Sequence, residues 1–82
     1  MFTAEQVKEA VTNNNIKIVT IRQCTLCCYP LAYMFHNDTV YFDSGCDCVS
    51  YYSPPKERSW GELARYLNNF PDYTELHAKF GL

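Results

Sequence analysis

Several things are scarce in this chain, and each scarcity excludes a function class. Glycine occurs three times in 82 residues and never as a cluster. There is therefore no Gly-rich turn of the kind that cradles phosphates and no long flexible linker. Apolar residues never run to the ~20 positions that a membrane-spanning helix needs. The opening Met1-Phe2-Thr3-Ala4-Glu5-Gln6-Val7-Lys8 is amphipathic and lacks the apolar core of a secretory signal. Histidine occurs twice, at His36 and His77, and neither has a neighbouring Ser, Cys or carboxylate pattern that would make a catalytic triad. Positive charge is also short, with seven Lys and Arg against nine Asp and Glu for a formal net charge of −2. The overall field does not draw the chain to nucleic acid.

What the chain does have is cysteine in a pattern. Cys24 and Cys27 form a C-x-x-C, and Cys46 and Cys48 form a C-x-C. Two close pairs separated by a compact hairpin are the donor arrangement of a tetrahedral zinc site, with zinc–sulfur bonds of about 2.3 Å. Four sulfurs leave no open coordination position, so one Zn²⁺ held by Cys24, Cys27, Cys46 and Cys48 is expected to be structural and not catalytic. Iron in the same sulfur cage is the chemical alternative. The fifth cysteine, Cys28, is read as a non-ligand side chain; the alternative is that it competes with Cys27 for the metal. The expected compartment is the cytoplasm, where thiols stay reduced and cysteine clusters signify metal or catalysis rather than disulfides. Four thiolates around a divalent ion add two further negative charges to the formal balance, which weighs again against nucleic acid.

The length bounds the rest. A chain of 82 residues is expected to form one domain, residues 1–82, whose core is marginal without a metal or disulfides. Thr3 with Gln6 predicts a capping box opening a helix over 3–14, with Phe2 and Val7 as a hydrophobic staple and Val7, Ala10 and Val11 as its apolar stripe. Asn13-Asn14-Asn15 should end it, because Asn tolerates the left-handed conformation of a helix C-cap. Ile16–Gln23 is rich in β-branched residues and predicts a strand that delivers Cys24 at its end. Leu31–His36 and Thr39–Asp43 predict two more strands around an Asn37-Asp38 type I′ turn.

Pairing His36 with Thr39 places Leu31, Tyr33, Phe35, Val40 and Phe42 on one face as the core side. It also brings both cysteine pairs to one end of the hairpin. Val49–Arg58, with Pro54-Pro55, predicts a loop or a short edge segment. Ser59 with Glu62 predicts a second capping box. Trp60, Leu63, Ala64, Leu67 and Phe70 would form the apolar stripe of that helix, which Pro71 ends. A final short helix capped by Asp72 would carry Tyr73, Leu76 and Phe80. The expected fold class is α+β: a three-stranded antiparallel sheet with a zinc-knuckle, zinc-ribbon-like hairpin, flanked by N- and C-terminal helices.

Three functional readings follow from the residues. The leading one is a non-enzymatic, zinc-stabilised protein-interaction module, because aromatics exceed what one small core hides and Tyr, Trp and Arg anchor interfaces. The surface expected to carry it lies among Tyr41, Tyr51, Tyr52 and Trp60 or on a helix face. The alternative is a nucleic-acid-binding zinc ribbon using Arg22, Lys56, Arg58 and Arg65, with aromatics as stacking platforms. A thiol-redox protein using Cys24/Cys27 comes last, since strand-like sequence after Pro30 denies that pair the helix N-terminus that lowers a thiol pKa.

Cys24-x-x-Cys27-x-x-Pro30-Leu31, Tyr41-Phe42-Asp43-Ser44-Gly45-Cys46-Asp47-Cys48 and Ser59-Trp60-Gly61-Glu62-Leu63-Ala64 together resemble small proteins encoded by tailed bacteriophages. The resemblance spans about residues 20–67, and Phe-Asp-Ser-Gly-Cys-x-Cys is its most specific part. Cys28 departs from it, standing where glycine is expected. The resemblance implies origin and compartment more than activity: a phage-encoded protein in the host cytoplasm. Phage accessory proteins of this size often act by binding a host protein, so the expected partner is a host or phage protein or a component of a defence system.

Overall fold

A computed structural model of the chain describes residues 1–23, 30–43 and 55–82. Three helices pack on one face of a four-stranded antiparallel sheet of order β1-β2-β3-β4, with β1 at Ile18–Gln23, β2 at Pro30–His36, β3 at Thr39–Asp43 and β4 at Lys56–Arg58. The helices are α1 (Ala4–Asn13), α2 (Trp60–Asn68) and α3 (Thr74–Lys79). The sheet thus has four strands where the sequence predicts three. The additional strand is the segment after Pro54-Pro55. Lacking proline itself, Lys56-Glu57-Arg58 can pair, and it does so at the edge, with Val40, Tyr41 and Phe42 of β3.

α1 starts and stops as its sequence dictates. Thr3 is the N-cap, its hydroxyl accepting from the Gln6 amide while the Gln6 side chain accepts from the Thr3 amide. At the other end Asn15 sits at φ 52°, the Asn15 amide donates to Thr12 O, and the Ile16 amide donates to Val11 O. These two bonds make a Schellman closure with Asn in the place usually taken by Gly. α3 ends in the same way. Gly81 has φ 79°, its amide donates to Ala78 O, and the Leu82 amide donates to His77 O. A Cβ on Gly81 would lie 2.5 Å from Asn14 Nδ2 and 3.1 Å from Ala10 O, so the two helix ends meet where only glycine fits.

Two helix starts depart from expectation. Ser59 Oγ accepts from the Glu62 amide, but the Glu62 carboxylate lies 3.7 Å from the Arg58 guanidinium, so only half of a capping box forms. α3 begins after Tyr73 with no side-chain cap, rather than after Asp72. α2 ends at Asn68, which leaves Phe70 outside the helix and partly exposed.

The core lies between the helices and the inner face of the sheet. Val7 and Val11 of α1, Leu63, Ala64 and Leu67 of α2, and Leu76 and Phe80 from α3 and its end close over Val19, Phe35 and Val40. The β2–β3 register is the one the hairpin sequence predicts, His36 with Thr39 through Ala32 with Asp43, turning on Asn37 and Asp38 at φ 50° and 62°. β1 is bulged between Thr20 and Arg22. This returns Arg22 to the face that carries Leu31 and Tyr33. Tyr33 and Phe35 pack against α2 and Phe80, with ring centroids 5.6 Å for Tyr33–Tyr66 and 6.0 Å for Tyr33–Phe80. A polar clamp adds to this core. Asn68 accepts from the Phe2 amide at 2.8 Å and donates to the Phe2 carbonyl at 2.9 Å, tying the N-terminus to the end of α2.

Candidate functional site

Cys24, Cys27, Cys28, Cys46 and Cys48 lie outside the described residues, as do Tyr51 and Tyr52. What is described is how the strands on either side are held. Gln23 pairs with Pro30, Ala32 pairs with Asp43, and Phe42 pairs with Lys56. The ends of β1 and β3 and the starts of β2 and β4 therefore all stand at one end of the sheet, opposite the Asn37-Asp38 turn. Neighbouring strands are about 4.8 Å apart, so the end of β1 and the end of β3 are separated by roughly 10 Å. Among the described residues no group of three or more His, Cys, Asp or Glu could hold a metal ion.

The aromatic residues expected to share a surface are divided by the sheet. Trp60 stacks on Phe35 on the helix side, with centroids 5.5 Å apart and planes within 11°, and its Nε1 donates to Asp38 O at 2.9 Å. Tyr41 pairs with Met34, one residue out of phase with the inward-facing Phe35 and Val40, and so belongs to the opposite face. The basic residues are divided as well. Arg22 is on β1 and Lys56 and Arg58 are on β4, the two edges of the sheet, and Arg58 is engaged by Glu62. Arg65, the fourth basic residue of the nucleic-acid reading, lies on α2.

Three features arise only from the fold. The first is a cavity of about 570 Å³ between the C-terminal end of α1, the start of β1, the β2–β3 turn and Trp60. The second is a cavity of about 370 Å³ walled by Tyr33, Phe42 and Tyr66 with Arg22 beside them. Burial pushes the hydroxyl pKa of Tyr33 up, with the charge of an ionised Tyr66 hydroxyl reinforcing it. Burial raises that of Tyr66 as well, against the opposing pull of Arg22. The third is the corner between α2 and α3, where Phe70 is 42% and Tyr73 is 54% exposed around Pro71.

His36 is exposed beside the turn, where its Nε2 lies 3.2 Å from the Asn37 side-chain Nδ2 and accepts from it. His77, read from sequence as an ordinary residue of an amphipathic helix, is buried. Its ring meets that of Phe2 edge-on at 4.9 Å, and its Nε2 has no partner among the described residues. Its position one after Leu76 and four after Tyr73 was the available signal, since that spacing puts it on the helix's apolar side. Among the described residues no helix is long and apolar enough to cross a membrane. Neither a family model, nor a curated protein, nor a solved structure matches the chain.

Proposed function

We propose that this chain is a non-enzymatic protein-interaction module, clamped at one end by a single structural Zn²⁺ on Cys24, Cys27, Cys46 and Cys48. The observation that carries the reading is the common strand end. The connections bearing both cysteine pairs start and finish at the same end of one sheet, which supports a shared ion as the reading of those four sulfurs. The chemistry supplied by the ion is cross-linking. It joins the β1–β2 connection to the β3–β4 connection, and its binding free energy becomes folding free energy.

The partner-facing surface in this reading is the α2–α3 corner. Phe70 and Tyr73 are large rings left exposed beyond a helix that stops at Asn68, and Arg65 lies five residues before Phe70. Aromatic and Arg anchors of this kind contribute most of the energy of protein interfaces. A phage accessory factor that holds a host protein or a defence component, working in the host cytoplasm, is the biological setting that the sequence resemblance supplies. The test has two parts. The purified protein should carry one zinc per chain by elemental analysis. A partner captured at micromolar protein should be lost to the double variant Phe70→Ser/Tyr73→Ser while the fold is retained. A metal-free folded protein whose Cys24 alkylates rapidly would refute the zinc clamp and restore the thiol-redox reading.

A further inference from the structure

The cavity at the turn end of the sheet is independent of the cysteines and of the α2–α3 corner, and its lining is unusual in one respect. The described residues include three non-glycine residues with positive φ, Asn15 at 52°, Asn37 at 50° and Asp38 at 62°, and all three line this cavity. Glycine is the residue that takes this conformation at least cost. It is the usual choice in a Schellman closure, where Asn15 stands, and at the second position of a type I′ turn, where Asp38 stands. Both backbone roles would be served as well or better without a side chain. The side chains that are present border one concave space of about 570 Å³, within the 300–1,000 Å³ range of small-ligand sites.

The chemistry of the lining narrows the ligand. Ile16, Phe35 and Trp60 supply an apolar wall, and Thr12, Asn15, Lys17 and Asp38 supply polar groups. Asn15, Lys17 and Asp38 are solvent-exposed and make no side-chain hydrogen bond or ion pair with any described residue, so a ligand there displaces only water from them. One cation and one anion balance, and the carboxyl-terminal end of α1 adds partial negative charge, which disfavours a phosphate or other anion. Neutral amide, hydroxyl, carboxylate and ammonium groups together match hydroxyls, each of which both donates and accepts. The apolar wall matches the C–H face of a sugar ring.

We propose that this cavity is a binding site for a neutral saccharide, oriented by Asn15 and Asp38 against the Trp60 wall.

Trp60 is the chain's one tryptophan, so its indole N–H gives a single reporter resonance at the site. The experiment titrates the isotope-labelled full chain with glucose, galactose, N-acetylglucosamine, maltotriose, chitotriose, adenosine and AMP. It follows the Trp60 indole cross-peak and repeats the series on Asn15→Gly/Asp38→Gly. The expected result is saturable movement of the indole peak with at least one neutral saccharide, at a dissociation constant of order 1 mM, weakened tenfold or more in the double variant. That variant should melt at the same temperature as the parent or higher, because glycine suits both backbone positions. The proposal is overturned if no saccharide saturates below about 50 mM, well beyond the affinity expected. It is overturned equally if adenosine or AMP binds more tightly than every saccharide, or if the double variant binds the saccharide unchanged.

Discussion

The two ends of the sheet are built on different principles. At the turn end, β2 and β3 are joined by two residues, Asn37 and Asp38, whose left-handed backbone matches the twist of the strands. Trp60 reaches across from α2 to hydrogen-bond the turn and stack on Phe35, and α1 closes beside it. Local rules and packing suffice there. At the opposite end the same strands are joined by residues 24–29 and 44–55, which carry every cysteine. β4, which follows the second of these connections, pairs with β3 at the sheet edge and offers three exposed charged residues. A small domain can complete one end of its sheet with apolar packing. At the cysteine end the described apolar residues include Ile21, Leu31, Tyr33, Phe42 and Tyr66, and the zinc clamp proposed above would tie the two connections together there.

The comparison breaks or sharpens in four experiments. The largest effect is expected from metal removal. A strong chelator should abolish the cooperative unfolding transition and disperse the tertiary signal, because structural zinc contributes about 10 kcal/mol or more in small zinc domains. An unchanged melting temperature in metal-free protein would place the stability of both ends in packing alone. Next is Phe80→Ala. Phe80 is fully buried and meets both Tyr33 and Phe35 edge-on, so truncation should cost about 3–5 kcal/mol in denaturant titration. A cost under ~1 kcal/mol would mean that the helix layer contributes little.

Gly81→Ala should cost roughly 1–3 kcal/mol, because the new methyl meets Asn14 and Ala10 and the left-handed backbone is strained. Asn15→Gly, at the equivalent position of α1, should be neutral or stabilising, and the pair separates close approach from backbone conformation. The smallest effect is on pH. Tyr33 and Tyr66 have hydroxyl pKa values raised by burial above the ordinary 10.0. In the unfolded chain they ionise first, so their contribution to stability is complete below pH 10 and is lost as pH rises through the folded values. Tyr33→Phe/Tyr66→Phe should flatten the alkaline limb of the stability profile; an unchanged limb would mean these hydroxyls are solvated.

Much of this architecture is legible in local sequence because its causes are local. A capping box needs Thr3 and Gln6 three residues apart, and a type I′ turn needs two residues that tolerate positive φ. The alternation of Phe35 and Val40 with polar neighbours fixes the register, since a one-residue slip would expose the whole core face. β4 was only half legible, because an edge pairing of three charged residues carries no periodic apolar signal.

The sequence by itself determined the helices, the hairpin and its register, and the presence of four paired thiols. Tertiary structure decided the separation of Trp60 from Tyr41, the burial of His77, the exposure of Phe70 and Tyr73, and the gathering of Asn15, Asn37 and Asp38 around one cavity. The physical reason is range. Hydrogen-bonded turns and caps are satisfied within a few residues of chain, whereas a surface or a cavity is defined by residues dozens of positions apart. These meet only when the helix layer docks on the sheet.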